Sequence, residues 1–416
     1  MNQSPSPAVN ITGHKTNEHK PMSTKDKHWA SVKKYWYLIT LIVPVAILIS
    51  SGLAYATGQG AWLWMLALVF WGVIPVVDAF VREDSFNPSA EQEIELQKDS
   101  SYYKNVLYVA TILNWVGLAA ITYVVVSGDW SWFHIVGAFL SVGALHAIGL
   151  TMSHELGHKM NDKTQVLFAQ IGSACSGYAH FNIEHNKGHH KDVATPEDPA
   201  SSRMGETIYK FALRELPGAA IRGWTLEAER LKRQNRSVFS LHNELIQTSL
   251  ITMIGYGAMT YFFGLAALPF LLICAAYGWF QLTMANYIEH YGLLRQTLEN
   301  GRFERCQPHH SWNNNFKASN LLTLHLQRHS DHHAHPTRAY QLLRDYADAP
   351  QLPQGYPAMM GLALIPSAWR YVMDERVVDW ANGDMNKVNI DPAKRDEIFS
   401  KFHREPMPTT SETKAA

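Results

Sequence analysis

Nine of the 21 histidines in this chain of 416 residues occur in four compact groups along the sequence. They are His154 and His158; His185, His189 and His190; His290; and His329, His332 and His333. Neutral imidazole is the commonest metal ligand, and a spacing of three or four residues places side chains on one helical face. Nine imidazoles exceed the roughly four to six ligands that one ion takes. The pattern therefore predicts two metal ions, although imidazole suits zinc, copper, iron and nickel about equally.

Each of the four groups also contains a carboxylate. These acids are Glu155, Glu184, Glu289 and Asp331. A carboxylate that accepts the second ring N–H of a ligand histidine fixes its tautomer and offsets the charge of the ion, so we expect this role here. Asp78, an acid at the end of an apolar run, is a further candidate for the same role. For each acid the alternative is a solvated or helix-capping position.

The chain contains six apolar runs that could position these histidines. They lie at residues 35–56, 61–80, 106–126, 132–152, 245–263 and 265–286. Each approaches the roughly 20 residues that a helix needs to cross a bilayer. The first run is too long for the apolar core of a signal peptide, and another apolar run follows it at once, so we expect it to be a retained helix.

The distribution of basic residues gives these six spans an orientation. The connections after spans one, three and five are short and contain no Lys or Arg, which places them outside. Both termini and the segments 159–240 and 291–416 are then cytosolic. Spans four and six both run inward and carry their histidines to the inner membrane face. We therefore predict an all-α integral membrane protein with six transmembrane helices and a cytosolic helical cap that carries the histidine site.

This organisation divides the chain into three parts. Residues 1–34 are expected to form a disordered cytosolic tail, residues 35–340 the membrane domain with its cap, and residues 341–416 a cytosolic C-terminal segment. The 36 basic and 36 acidic side chains cancel, which argues against a nucleic-acid partner. The only cysteines, Cys175, Cys274 and Cys306, cannot supply the four thiolates of a rubredoxin-type or iron–sulfur centre. Any redox chemistry therefore needs electrons from another protein.

Two classes of protein that bind a single metal ion compete with a two-metal membrane enzyme. The motif His154-Glu155-x-x-His158 also fits a membrane zinc protease, with Glu155 as general base. Such an enzyme needs three protein ligands and one open position, which leaves at least six clustered histidines without a role. A metal transporter should carry its ligands near the bilayer midplane, whereas the apolar runs of this chain contain few ionisable groups.

Four stretches resemble the integral-membrane, non-haem di-iron alkane 1-monooxygenases of hydrocarbon-degrading bacteria. They are HELGHK (154–159), EHNKGHH (184–190), NYIEHYGL (286–293) and LQRHSDHHAHPTR (326–338). The resemblance extends from about residue 35 to about residue 400 and identifies all nine clustered histidines as iron ligands. Fatty-acid desaturases share a looser histidine pattern, and the NYIEHYGL element favours alkane hydroxylases over them. The xylene-type monooxygenases, which act on methyl groups of aromatic hydrocarbons, are the relatives that remain as an alternative.

The resemblance implies a reaction and a set of partners. An n-alkane, O₂, two electrons and two protons would give a 1-alkanol and water at two iron ions. The electrons would come from a separate rubredoxin that is reduced by a flavoprotein reductase, which agrees with the scattered cysteines. The expected location is the bacterial inner membrane, with the active site on the cytosolic side. An alkane partitions into the bilayer, so the helical bundle can receive it from the lipid.

The second apolar run contains two bulky aromatic residues, Phe70 and Trp71, in mid-span. Adjacent helical residues point about 100° apart, so only one of them can face a substrate channel squarely. Phe70 lies two turns before Asp78 on one helical stripe, and we predict that Phe70 forms the floor of the channel. Ordinary packing or lipid contact is the alternative for either ring.

Overall fold

The computed structural model describes residues 32–81, 83–98 and 100–402. These residues form helices, turns and loops with isolated β-bridges and no strand, so the predicted all-α class is confirmed for them. The predictions for residues 1–31 and 403–416 lie outside the described residues. Residues 32–34, which we assigned to the tail, already belong to the first helix.

Fifteen helices organise the described residues. They are α1 (Val32–Thr57), α2 (Gly60–Phe80), α3 (Ala90–Lys98), α4 (Ser100–Ser127), α5 (Trp132–Gly157), α6 (Lys163–Cys175), α7 (Phe181–Glu184), α8 (Ile208–Arg233), α9 (Glu244–Phe263), α10 (Ala267–His290), α11 (Lys317–Leu322), α12 (His329–Ala334), α13 (Tyr356–Ala363), α14 (Pro366–Trp380) and α15 (Arg395–Phe402). Helix α2 is continuous but contains a π-helical turn at Val69–Val73. A second π-helical turn, His185–His189, directly follows α7.

Five of these helices, α1, α2, α4, α5 and α10, are long and apolar enough to cross a membrane. They correspond to five of the six predicted spans. The remaining predicted span, residues 245–263, lies in α9, which has 20 residues but is less apolar because it includes Gln247, Thr248 and Thr252. Its side chains Met253 and Ile254 are 67% and 72% exposed, which is the surface that a lipid-facing helix presents.

Helix α5 lies inside the bundle and packs against α4, α6 and α10. The close approach of α5 and α10 depends on Gly143, because a Cβ atom there would lie 2.1 Å from the ring of Tyr277. The rings of Phe139 and Tyr277 contact each other with centroids 4.5 Å apart. Small residues at a helix contact are typical of membrane bundles, where packing rather than water exclusion drives association.

Helices α5 and α10 run in the same direction through the bundle. Phe139 on α5 contacts Tyr277 on α10, and further along, residues from Ala147 to His154 line the same cavity as residues from Gln281 to Glu289. Both helices end at the level of the histidines, as the sequence predicted for spans four and six. The parallel arrangement therefore brings His154 and His290 to one end of the bundle.

The described part of the C-terminal segment packs against this same end. The buried side chain of Trp369 on α14 contacts the rings of Tyr287 and Tyr291 at centroid distances of 5.1 and 5.3 Å. Residues of α13 and α14 share one apolar cluster with residues of α10. The described part of this segment therefore packs against the end of α10 that carries His290.

Candidate metal centre

Five of the nine histidines converge on one point. They are His154, His158, His185, His190 and His332. The Nε2 atom of His154 lies 3.0 Å from that of His332 and 3.2 Å from that of His158. The Nε2 atom of His190 lies 3.0 Å from those of both His185 and His332. We call this set the five-histidine group.

The other four histidines form a second set beside the first. They are His189, His290, His329 and His333. The Nε2 atom of His329 lies 3.2 Å from that of His290 and 2.9 Å from that of His333. The Nε2 atom of His189 is buried without a hydrogen-bond partner among the described residues. We call this set the four-histidine group.

The spacing within each group fits a metal ion at its centre. Two nitrogens at right angles around an ion, each about 2.1 Å away, are about 3.0 Å apart. Hydrogen bonds alone cannot satisfy so many Nε2 atoms, because a neutral imidazole carries only one N–H. Burial lowers the pKa of His185, His190 and His332 well below the ordinary value, so these rings are neutral and keep a lone pair for a metal.

The π-helical turn His185–His189 explains how adjacent histidines serve different groups. In an α-helix, residues four apart share a face, which was the basis of the sequence prediction. The wider π turn brings His185 and His190, five residues apart, to the same point, and His189 faces the four-histidine group instead. Single π turns are frequently found at functional sites. The sequence pattern predicted the nine residues, but not their division into a five-histidine group and a four-histidine group.

One buried acid that contacts His189 was not predicted from the sequence. Asp198 accepts a hydrogen bond from Nδ1 of His189 at 2.9 Å and was missed, because it lies in a loop without helical spacing. Arg222 links Asp198, at 2.7 Å, to the predicted acid Glu184. Although burial lowers the pKa of His189, the carboxylates of Asp198 and, to a smaller extent, Glu184 outweigh this effect and raise that pKa overall. His189 is thereby fixed with Nδ1 protonated and Nε2 directed into the group.

Glu289 is the predicted acid that lies directly against an imidazole nitrogen of the cluster. Its Oε2 atom lies 3.3 Å from Nε2 of His329. Glu155 instead accepts from the backbone N–H of Tyr340 at 3.3 Å and lies 3.7 Å from Lys159. Glu289 therefore lies at the four-histidine group. Glu155 belongs to neither group and contacts Tyr340 and Lys159 instead.

The remaining two predicted acids, Asp331 and Asp78, form hydrogen bonds with groups outside the nine clustered histidines. Asp331 accepts hydrogen bonds from Nη1 of Arg338 at 2.7 Å and from Nδ1 of His335 at 2.9 Å, so it anchors the chain after α12. The prediction that Asp78 pairs with a histidine of the cluster is wrong. Its carboxylate accepts from the backbone N–H groups of Ala318 at 2.8 Å and Ser319 at 3.2 Å, which caps the first turn of α11.

An apolar cavity borders both histidine groups. Phe70 lines it together with His154, His185 and His329, and its side chain is 3% exposed. Trp71 is not among the lining residues and packs against Phe70 with ring centroids 5.2 Å apart. The π turn of α2 contains both residues, so the regular helical stripe from Phe70 to Asp78 is interrupted.

Fold and site together define a helical protein of membrane-spanning type with two adjoining histidine groups suited to metal ions. The sequence profile of the fatty acid desaturase family matches residues 130–363. The chain is 48% identical over 383 residues to an alkane 1-monooxygenase of Ectopseudomonas oleovorans, which covers 92% of this chain and 95% of the relative. It is also 48% identical to an alkane 1-monooxygenase of Pseudomonas putida, over 89% of this chain and 92% of the relative.

The aromatic-hydrocarbon alternative is more distant. A xylene/toluene monooxygenase hydroxylase component of Pseudomonas putida is 25% identical over 83% of this chain and 89% of its own. The chain belongs to the fatty acid desaturase family and, within it, to the alkane 1-monooxygenases. The resemblance drawn from the four histidine motifs is thereby confirmed.

Because the histidines form two separate groups, we expect the substitution of one histidine to remove one metal ion and not both. We expect His332→Ala to lower the metal content of purified protein from about two ions per chain to about one, because the five-histidine group loses a central donor. We expect His329→Ala to have the same effect through the other group, and the double variant to lose both ions. Elemental analysis measures the content.

His335→Ala is the matched control, since His335 contacts Asp331 and belongs to neither group. It should keep both ions. If His332→Ala and His329→Ala each removed all metal, the division into two independent groups would be refuted.

Proposed function

We propose that the protein is an alkane 1-monooxygenase that hydroxylates the terminal methyl group of n-alkanes with O₂. The observation that carries the proposal is an apolar cavity whose inner end is formed by histidines of both groups, His154, His185 and His329. An alkane has no polar group to anchor, so only the shape and depth of an apolar cavity can present its methyl group. The sequence relationship to the alkane 1-monooxygenases supports the same substrate class.

We propose that the nine histidines hold two iron ions, five on one and four on the other. When bound, the irons would supply the reductive activation of O₂ that inserts one oxygen atom into a C–H bond. Asp198 would keep His189 in the metal-binding tautomer, and Glu289 would add negative charge beside the four-histidine group. Phe70 and the neighbouring apolar residues would exclude water and orient the alkane.

The electrons are proposed to come from a separate rubredoxin with its flavoprotein reductase. Cys175 and Cys274 are buried and distant in sequence, and Cys306 is partly buried. Three such thiols offer no set of four thiolates for an internal redox centre. The hydroxylation therefore depends on a partner protein that reaches the cytosolic face.

We propose six spans with the histidine site on the cytosolic side of the bacterial inner membrane. Because α5 and α10 are parallel, the chain must cross the membrane once more between them. Helix α9 is the 20-residue helix in that interval with an exposed apolar surface. Its polar residues lower its mean hydropathy, but two of them are hydrogen-bonded inside the bundle. Thr248 donates to the carbonyl of Glu244 in its own helix at 2.9 Å, and Thr252 donates to the carbonyl of Ala174 on α6 at 2.9 Å.

Reporter fusions test this topology. We expect fusions at Gly58, Gly128 and Gly264 to report the periplasmic side and fusions at Lys98 and Gly301 the cytosol. Each site is fused to two enzymatic reporters, one active only in the periplasm and one active only in the cytosol, so that each location gives a positive signal. A cytosolic signal at Gly264 would mean that α9 does not cross the membrane, and the site could then not be assembled as proposed.

The activity itself is tested with detergent-purified, iron-loaded protein. We expect octane to give 1-octanol, with one atom of labelled O₂ in the product, when rubredoxin, its reductase and NADH are supplied. Omission of rubredoxin should abolish turnover. A preparation that contains one zinc ion and hydrolyses peptides would instead favour the protease alternative, and a strong preference for xylene over octane would favour the aromatic one.

The cavity predicts that Phe70 limits the length of the substrate. Phe70→Ala should shift the chain-length profile towards longer alkanes, because each added methylene that becomes buried gains up to about 0.8 kcal/mol, or roughly fourfold in kcat/KM. The relative rates on a series of n-alkanes measure the shift. Trp71→Leu is the control, since Trp71 does not line the cavity, and it should change the profile less. The reverse result would assign the floor of the cavity to Trp71.

A further inference from the structure

The apolar cavity beside the histidines contains a polar side chain that the hydroxylation of an alkane does not use. Gln281 lines the cavity, is 1% exposed, and neither its Oε1 nor its Nε2 atom has a hydrogen-bond partner among the described residues. Two other polar residues on the same pair of helices are hydrogen-bonded, whereas Oη of Tyr356 and Oε1 of Glu289 are, like the amide of Gln281, without a hydrogen-bond partner among the described residues. Asn286 donates to Glu215 at 3.2 Å, and Thr151 donates to the carbonyl of Ala147 at 3.0 Å.

An unpaired primary amide in an apolar site is costly, because it has lost its hydrogen bonds to water without replacement. The packing around Gln281 nevertheless accommodates it. A Cβ atom at Gly143 on the facing helix would lie 2.8 Å from Nε2 of Gln281, so glycine leaves room for the amide. The buried Nε2 atom of His146, which faces α10 at Gly278, also lacks a partner within the described structure. The α5–α10 interface is therefore polar at this depth on both helices.

The distance between Gln281 and the histidines determines how long a ligand must be to reach from the metal centre to a hydrogen bond with the amide. Gln281 lies nine residues before His290 on α10, which corresponds to about 13 Å along the helix. The cavity extends from the level of Gln281 to the level of His154, His185 and His329. A medium-chain molecule whose methyl group lies at the histidines would therefore have its other end at the amide. An n-alkane leaves Gln281 unpaired there, whereas a chain that ends in a hydroxyl group pairs it.

We propose that Gln281 is a specificity-determining residue that binds the hydroxyl group of a medium-chain 1-alkanol entering the cavity hydroxyl-first and presenting its methyl group to the metal centre. The amide accepts the O–H hydrogen at Oε1 and donates from Nε2 to the hydroxyl oxygen. The proposal rests on the proposed hydroxylase function. The alkanol HO–R–CH₃, with O₂, two protons and two electrons from the same donor protein, gives the diol HO–R–CH₂OH and water. A C–H bond is oxidised, and O₂ is reduced.

The test compares 1-decanol with decane in wild type and in Gln281→Leu. The ratio of kcat/KM for far-methyl hydroxylation of the alkanol to kcat/KM for the alkane should fall about tenfold in the variant, the value of one good hydrogen bond. Gln281→Met, which is closer in shape, should give the same fall and covers the case in which the leucine variant does not fold. Gln170→Leu is the matched control, because Gln170 is a buried amide that pairs with Gln247 elsewhere in the bundle. It should leave the ratio unaltered.

Ligand-dependent thermal unfolding gives a second readout that requires no turnover. 1-Decanol should raise the midpoint of wild-type unfolding, and both Gln281 variants should lose most of that rise. Equal ratios and equal shifts in wild type and the Gln281 variants would overturn the subsite, even if decane is hydroxylated normally. A wild type that hydroxylates neither compound but retains the Gln281-dependent shift would refute the hydroxylase function and support the subsite.

Discussion

The crowding of nine imidazole nitrogens in a buried site is the constraint on which the rest of the structure depends. Neighbouring Nε2 atoms lie 2.9 to 3.2 Å apart, and burial keeps most of these rings neutral. Lone pairs at this distance repel one another unless a proton or a cation lies between them. An Nε2 atom carries either one proton or one lone pair, so hydrogen bonds cannot relieve all of these contacts at once. The cluster is therefore suited to cations, and the surrounding protein has to hold these rings close together.

Contacts at some distance from the histidines hold the helices that carry them. Parallel α5 and α10 set the depth of the cluster, and Gly143 lets them approach closely. Arg328, buried beside His329 at the start of α12, donates hydrogen bonds to the carbonyls of Phe86 and Leu343 at 3.1 and 2.6 Å. A buried guanidinium with several carbonyl acceptors ties three separate chain segments together. The histidines can thus be held in place although several of them lie on short helical turns.

The sequence was sufficient to predict those features that repeat with a regular period. Apolar runs of spanning length revealed the long helices, and histidine spacing revealed the nine residues of the cluster. The exceptions have local physical causes. The π turn at His185–His189 breaks the four-residue spacing, so the division between groups was not predictable. Asp198 contacts His189 from a loop, and Asp78 caps a distant helix, because both contacts are set by tertiary packing that no periodic pattern records.

The positions of the carboxylates make the two histidine groups electrostatically unequal. Among the described residues, the two acids that contact imidazoles of the cluster, Asp198 and Glu289, both belong to the four-histidine group. A divalent ion in the five-histidine group would keep its full charge, whereas one in the four-histidine group would be partly neutralised. Because the surroundings are buried and apolar, this difference is screened less than it would be in water. Two bound ions would therefore have unequal electrostatic surroundings, and both groups adjoin the apolar cavity.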